Sequence, residues 1–333
     1  EIAAAKEGTK AGRGANFRCV ISDTAITPDY VKRMGREGKM GQTLLGVVAE
    51  GNRSRVAIAP TEDQASLALS ARPTWKPETS LPDDARNFWT VDYGLTTFGD
   101  LFTDRQLLAL NTFSDLVHEV RPQIEKDAIA SGLVDDQKPL RDGGRGARGY
   151  AEAVSVYLGI SVSKSSVFLN SLSRWRAGES KTAPAFGRQA IPMVWDYAEV
   201  NPFAGAGGDF QGVVMGASGM LDRLRGDAEG SLVHHDAQTV EYPHNAIISS
   251  DPPYYDNIGY ADLSDFFYCW MRPALRPIYP DGFSVLATPK AEELIAAPYR
   301  HGGSEPAEAF FLKGMSRAIS NMARQSSDDF PAK

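Results

Sequence analysis

Residues 250–270 read SDPPYYDNIGYADLSDFFYCW, and this stretch decides the fold prediction. The apolar run AIIS, residues 246–249, precedes it and predicts a short strand that delivers Asp251 to its end. An aromatic-rich helix is expected after it, from Asp262 to about Leu275. In open α/β sheets, ligands bind beyond the carboxyl ends of the strands, so Asp251 is expected to lie at a ligand-binding edge.

The Asp-Pro-Pro-Tyr segment predicts a rigid turn with outward-facing acceptors. A residue before proline is held in extended geometry, so Asp251 cannot enter a helix. Pro252 and Pro253 fix φ and remove two N–H donors. The Asp251 carboxylate and the Pro252 carbonyl can accept both hydrogens of a planar exocyclic amine and stabilise positive charge during methyl transfer. Tyr254 can stack on a flipped base. A plain strand-to-loop turn is the alternative.

A glycine-rich loop, NPFAGAGG at residues 201–208, is the second candidate ligand site. Glycines let the backbone approach a ligand, and the N-terminus of the next helix favours negative charge. Asn201, Phe203 and Gly205 are therefore candidate cofactor contacts, together with Asp236, which follows a predicted β run. The alternatives are a tight turn at the glycines and an N-cap or turn role for Asp236.

Two basic clusters are candidate nucleic-acid contacts. The loop at 135–149 carries Arg145 and Arg148 among glycines, and a second cluster contains Arg174 and Trp175. A Gly/Arg loop can follow a phosphate backbone, and a tryptophan can stack on a base. The alternative is a solvated loop and cations that favour a helix C-terminus.

The composition is that of an ordinary globular protein. Of the 333 residues, 42% are hydrophobic and 23% are charged, which excludes collagen-like, coiled-coil and disordered classes. No apolar run is long enough to span a membrane, and residues 1–10 do not resemble a signal peptide, so a cytoplasmic protein is expected. The net charge of −7 argues mildly against extensive nucleic-acid-binding charge but leaves room for a local basic groove. The cysteines, Cys19 and Cys269, and the histidines lack ligand spacing, so no metal site is predicted.

The order of patterns predicts four regions. Residues 1–71 contain a β-hairpin at 42–59 around a Gly-Asn turn, and residues 72–100 form a linker. Residues 101–190 form a helical insertion, and residues 191–333 carry the Asp-Pro-Pro-Tyr motif. Helices are expected at about 104–132, 150–175, 209–225, 262–275 and 306–324, and β runs at 231–234 and 246–249.

The Asp-Pro-Pro-Tyr motif resembles motif IV of the amino-methyltransferases, the S-adenosylmethionine-dependent enzymes that methylate adenine N6 or cytosine N4. The longer string DPPYYDNIGYADLSDFFYCW resembles one branch, the large adenine-specific DNA methylases with a DUF1156 N-terminal domain, often found near phage-defence genes. The middle section of that family is also similar to GREGKMGQTLLGVVAEG, YGLTTFGDLFTDRQLLAL and FGRQAIPMVWDYAEVNPF. The resemblance covers about residues 17–325.

This resemblance implies an α/β fold of the Rossmann-like methyltransferase type, incomplete here, with a degenerate zinc-ribbon remnant in the first region. It implies a DNA methyltransferase that moves a methyl group from S-adenosylmethionine to adenine N6 after base flipping. Restriction-modification or phage defence is the implied setting, with DNA and defence-system proteins as partners. By resemblance, Asp251 and Pro252 hold the amine, Pro253 stiffens the loop, and Tyr254 stacks on the base.

The chain departs from the family on the cofactor side. The family's D-P-F-x-G-G-G-like motif I and paired-cysteine ribbon are absent, and Asn201 replaces the motif I aspartate. The interval from Asn201 to Asp251, about 50 residues, is short for three strands and two helices. The sequence is therefore expected to be a piece of a longer methylase. Two alternatives stay open: a non-catalytic nucleic-acid-binding or interaction module, and a methyltransferase that acts on RNA or on a protein amide.

Overall fold

The computed structural model describes residues 8–224, 226, 230–243, 246–256 and 258–330. These residues form a mixed α/β structure with eight α-helices and three small antiparallel sheets of two strands each. The chain divides into two compact units. The first unit runs up to Val214 and includes Cys269–Ser284, and the second contains Met215–Tyr268 and the chain from Val285 onward.

The helices and strands are short except for four of the helices. The helices are α1 (Pro28–Arg36), α2 (Glu62–Ala68), α3 (Asp104–Ala130), α4 (Ala147–Ser165), α5 (Phe210–Leu221), α6 (Tyr260–Leu275), α7 (Pro298–His301) and α8 (Ser304–Gln325). The strands are β1 (Phe17–Arg18), β2 (Ala25–Ile26), β3 (Val47–Glu50), β4 (Arg55–Ile58), β5 (Arg174–Arg176) and β6 (Lys181–Ala183). Each strand pairs with its neighbour in sequence. No helix in the described part of the chain is long and apolar enough to cross a membrane.

The predicted β-hairpin and the predicted first long helix are confirmed. Strands β3 and β4 pair from Val47 opposite Ile58 to Glu50 opposite Arg55. Helix α3 begins after Thr103, whose hydroxyl accepts the backbone N–H of Gln106 in a capping box. Helix α3 packs against α4, and four of its apolar residues are buried: Leu107, Leu110, Phe113 and Val117. Three other apolar residues of the same stretch are exposed: Leu108, Leu116 and Val120. A local start signal and a 3.6-residue period were sufficient to locate this helix.

Trp270 lies at the centre of the first unit's core. This residue is fully buried, although it comes from the C-terminal part of α6. The rings of Trp75 and Phe102 pack on it with centroids 5.2 Å away in both cases. Phe98 and Leu101 are also fully buried in this unit. The core of the first unit therefore depends on a segment that follows most of the second unit in sequence.

The predicted helix at 150–175 was wrong at its C-terminal end, because α4 stops at Ser165. The amide side chain of Asn170 accepts the backbone N–H of Leu172 at 2.8 Å and donates to the carbonyl of Ser166. Side chains that bond the local backbone in this way compete with helical hydrogen bonds. The Arg174–Arg176 segment is strand β5 instead.

The two β runs predicted at 231–234 and 246–249 were also wrong. Residues 231–234 form no strand, and Leu232 and Val233 are 97% and 71% exposed, so no sheet neighbour covers them. In the second run only Ala246 forms a bridge, with Ser326. The Rossmann-like part of the fold prediction stays a prediction, since the sheets of the described residues are all antiparallel pairs.

Candidate functional site

The Asp-Pro-Pro-Tyr motif forms an exposed turn in the second unit. Asp251, Pro252 and Tyr254 are exposed, and Pro253 is half-buried. The Tyr254 hydroxyl donates a hydrogen bond of 2.8 Å to Oδ1 of Asp251. This bond and the negative charge of the carboxylate raise the pKa of Tyr254. Both side chains are exposed, so solvent and ligands can reach the carboxylate and the tyrosine ring.

The residue after the motif fixes this turn to the rest of the second unit. Tyr255 adopts a left-handed backbone with φ of +50°, which is uncommon for a residue with a side chain. Its carbonyl oxygen accepts the backbone N–H of Ala296 at 3.0 Å. Its ring packs edge-on against Phe311 of α8, with centroids 5.3 Å apart. Because Tyr255 is held from two sides, Tyr254 is presented outward on a supported loop.

A buried ion network lies at the start of α6, just after the motif loop. Arg300 donates to Oδ2 of Asp262 and to Oε2 of Glu293, both at 2.6 Å. The side chain of Asp262 is only 2% exposed, and the side chain of Arg300 is 10% exposed. The Tyr299 hydroxyl also donates to Asp262, and burial followed by this bond raises the pKa of Tyr299. The guanidinium thus balances two carboxylates that water hardly reaches.

A second set of bonds ties α6 to the segment that follows it. The Asp265 carboxylate accepts both the backbone N–H and the hydroxyl of Thr288 at 2.7 Å, and Lys290 at 2.5 Å. A Cβ atom on Gly259 would lie 3.0 Å from Oδ2 of Asp262, so the end of the motif loop passes close to the ion network. The two networks together fix the start of α6, where the loop that follows the Asp-Pro-Pro-Tyr motif ends.

The glycine-rich loop lies in the first unit and forms compact turns before α5. The amide oxygen of Asn201 accepts the backbone N–H of Phe203 at 3.0 Å, and the ring of Phe203 is 78% exposed. Gly205 has a φ of +62° and no heavy atom within 4 Å of an added Cβ. Gly208 is different, since a Cβ there would lie 2.8 Å from the ring of Phe168. A ligand can therefore approach the backbone at Gly205, whereas the ring of Phe168 blocks the approach at Gly208.

Asp236, the fourth candidate cofactor contact, belongs to the second unit. Its carboxylate accepts the backbone N–H and the side-chain amide of Gln238, at 2.9 and 3.2 Å. It lines a cleft of about 670 Å³ together with Arg317 and Arg324 of α8. The sequence interpretation missed both arginines, although their spacing of seven residues on a helix places them on one face. It also missed Arg300, which comes from a segment with no periodic pattern.

The two basic clusters differ in how their side chains are used. Arg148 forms an ion pair of 3.2 Å with Glu152 one helical turn later. Arg145 is exposed just before α4. Arg174 and Trp175 lie on β5, where Arg174 is exposed and Trp175 is 38% exposed. The β5–β6 hairpin therefore presents an arginine and an aromatic ring side by side in sequence.

No known protein family, curated protein or solved structure matches the chain. Among the described residues, no group of three or more His, Cys, Asp or Glu side chains is placed to hold a metal ion. The resemblance to the DUF1156 methylases therefore rests on the quoted motifs. The Asp251–Tyr254 turn is a structural feature that does not depend on this resemblance.

Proposed function

We propose that this chain is the target-base part of an S-adenosylmethionine-dependent DNA methyltransferase, related to the DUF1156 methylases, that acts on adenine N6. The proposal includes a Rossmann-like fold for the complete enzyme, a cytoplasmic location and a role beside defence-system proteins. The observation that carries it is the supported turn on which an exposed carboxylate, Asp251, is hydrogen-bonded to an exposed aromatic ring, Tyr254.

The chemistry follows from what the turn leaves available. One oxygen of Asp251 is bonded to Tyr254. The other oxygen and the Pro252 carbonyl have no hydrogen-bond partner among the described residues and can accept the two hydrogens of an exocyclic amine. Pro253 has no N–H with which to compete for these acceptors. Holding both hydrogens localises the nitrogen lone pair and stabilises the positive charge that grows on nitrogen. The extra proton leaves after transfer, so no base is needed before it.

S-adenosylmethionine supplies an electrophilic methyl group when it is bound. Two separate candidates for contacting it are Asn201, Phe203 and Gly205 of the glycine-rich loop in the first unit, and Asp236 in the second unit. No heavy atom lies within 4 Å of a Cβ built at Gly205, so a ligand can approach the backbone there. Each candidate is tested by its own variant in a titration calorimetry experiment with S-adenosylmethionine.

The base-binding role can be tested without the cofactor. An oligonucleotide with 2-aminopurine at the target adenine becomes brighter when the base leaves the stack, so fluorescence reports flipping. We expect Tyr254→Phe to retain the signal, because the ring remains. Tyr254→Ala should weaken binding by roughly 5- to 150-fold, which corresponds to about 1–3 kcal/mol of stacking.

Asp256→Ala, in the same loop, is the control for a general effect of loop substitutions. An equal signal from Tyr254→Ala and the wild type would refute the base-binding role. The methyl acceptor is identified by comparing DNA, RNA and a peptide amide as substrates. Methylation of DNA alone supports the proposed substrate.

A non-catalytic nucleic-acid-binding module is the second candidate function. It is favoured by the sheets of the described residues, which are antiparallel pairs and offer no row of parallel strand ends for a cofactor. Calorimetry with S-adenosylmethionine discriminates the two functions. Saturable binding that Gly205→Val or Asp236→Ala abolishes supports the enzyme, and flipping of the base without cofactor binding supports the module.

A further inference from the structure

The cleft beside Asp236 in the second unit contains basic side chains that the methyl-transfer chemistry above does not use. It lies between the loop at 236–239 and one face of α8. Asn321, which is buried, donates from its amide to the carbonyls of Ala237 and Val240 at 3.2 and 2.9 Å, which fixes the loop against the helix. Gln325 extends this attachment with a bond to the same Val240 carbonyl at 3.0 Å. The cleft therefore has a defined wall on each side.

The free hydrogen-bond donors of the cleft are mainly cationic or hydroxylic. Arg317 and Arg324 project from α8 with Ser320 between them, and neither arginine forms an ion pair with a described residue. Arg324 donates one bond, to the amide oxygen of Asn321 at 2.8 Å, which orients its guanidinium and leaves other N–H groups free. The one carboxylate in the lining, Asp236, is bonded to its own loop.

Such a set of donors suits a tetrahedral anion. A guanidinium presents several N–H donors in a plane that matches two oxygens of a phosphate, and charge-assisted bonds of this kind are stronger than neutral ones. Two arginines against one carboxylate give the cleft a net positive charge on a chain whose net charge is −7. An anionic ligand is therefore drawn to this cleft more than to the average surface of the protein.

We propose that this cleft binds backbone phosphates of the nucleic-acid strand that carries the target base. Phe311, which contacts Tyr255 beside the motif turn, lies on the same helix. Arg317 and Arg324 follow it by six and thirteen residues, or about 9 and 20 Å along the helix axis. Phosphates of one strand advance about 3.4 Å per nucleotide in B-form DNA, so the cleft lies about three to six nucleotides from the base.

The inference rests on the proposed function only for the position of the target base, and its test measures binding alone. The test is the salt dependence of binding of a fluorescent double-stranded oligonucleotide, by anisotropy, with Arg317→Gln and Arg324→Gln. Each replaced phosphate contact should lower the slope of log K against log salt by about 0.9. Lys313→Gln removes one exposed positive charge from the same helix outside the cleft and should leave the slope unchanged.

Two further experiments ask whether the cleft binds free phosphate or a nucleic-acid backbone, and how far the cleft lies from the target base. Inorganic phosphate at constant ionic strength should not compete with the oligonucleotide. Strands shortened to fewer than about three nucleotides beyond the target base should bind the wild type and the two variants equally, since they do not reach the cleft. An unchanged slope in both arginine variants, an equal decrease in Lys313→Gln, or displacement of the strand by inorganic phosphate would each overturn the inference. Loss of base flipping with these slopes intact would refute the proposed function alone.

Discussion

Replacing Arg300 by methionine tests how far the ion network beside the motif loop stabilises the protein. The substitution keeps much of the apolar stem but removes the guanidinium that bonds Asp262 and Glu293 at 2.6 Å. Asp262 is 2% exposed, so its charge would lose its cationic partner away from water. Breaking a buried ion pair in this way costs about 3–5 kcal/mol. In urea this corresponds to a decrease of about 1–2 M in the unfolding midpoint at a typical m-value.

Two companion variants give this prediction its control. Arg276→Met removes an exposed arginine and should change the free energy of unfolding by less than about 0.5 kcal/mol. Asp262→Asn combined with Arg300→Met removes the unpaired charge, so the double variant should be more stable than Arg300→Met alone. If Arg300→Met costs less than about 1 kcal/mol, or if the double variant is no more stable, the network does not act through charge balance.

Three other substitutions probe the first unit. Gly35→Ala would place a Cβ against the backbone oxygen of Tyr93 and should cost about 1–3 kcal/mol in thermal or urea unfolding, because backbone cannot yield as a side chain can. Thr103→Ala removes the cap of α3 and should cost about 0.5–2 kcal/mol, measured as a lower helical melting midpoint by circular dichroism. A hydrogen bond from Lys32 holds the pKa of Asp92 below its usual 3.8. The ionised carboxylate therefore stabilises the folded protein above that pH, and this stabilisation is lost as the pH falls further. Asp92→Asn should make the free energy of unfolding depend less on pH in this acidic range.

Each of these has an outcome that contradicts it. A Gly35→Ala protein as stable as the wild type would mean that α1 shifts freely away from the neighbouring 3₁₀ segment at Trp89–Tyr93. Serine at position 103 retains a hydroxyl and should recover most of the loss seen with alanine. An acid limb that is identical in the wild type and Asp92→Asn would show that other carboxylates dominate the response to pH.

The sequence predicted the elements whose signals are local. The cap at Thr103, the apolar period of α3 and the turn at Gly51 each act within a few residues, so the helix and the hairpin followed directly. The apolar run at 246–249 could equally have been a buried strand or an extended segment, since a strand exists only when a partner pairs with it. Here the partner contact is a single bridge from Ala246 to Ser326, about 80 residues away, which no local pattern indicates.

The candidate site was predictable in part for the same reason. The Asp251–Tyr254 turn is contiguous in sequence, and its prolines, exposed carboxylate and ring can be read directly. Its support depends on Phe311 and Ala296, and these contacts depend on tertiary folding. The arginines of the cleft are recognisable on α8 only once the loop that faces them is known.

The division of the first unit into two stretches of chain has a consequence for biosynthesis. Residues up to Val214 leave the ribosome without Trp270 and Ile278, which are buried in that unit's core. Roughly 70 more residues must be made before Ser284 follows, which takes about 4–14 s at typical elongation rates. During that interval the rings of Trp75 and Phe102 lack Trp270, their packing partner, and a holding chaperone would act on this apolar surface. Synonymous codons that slow translation between these positions would lengthen the exposure and lower the soluble yield without changing a single residue.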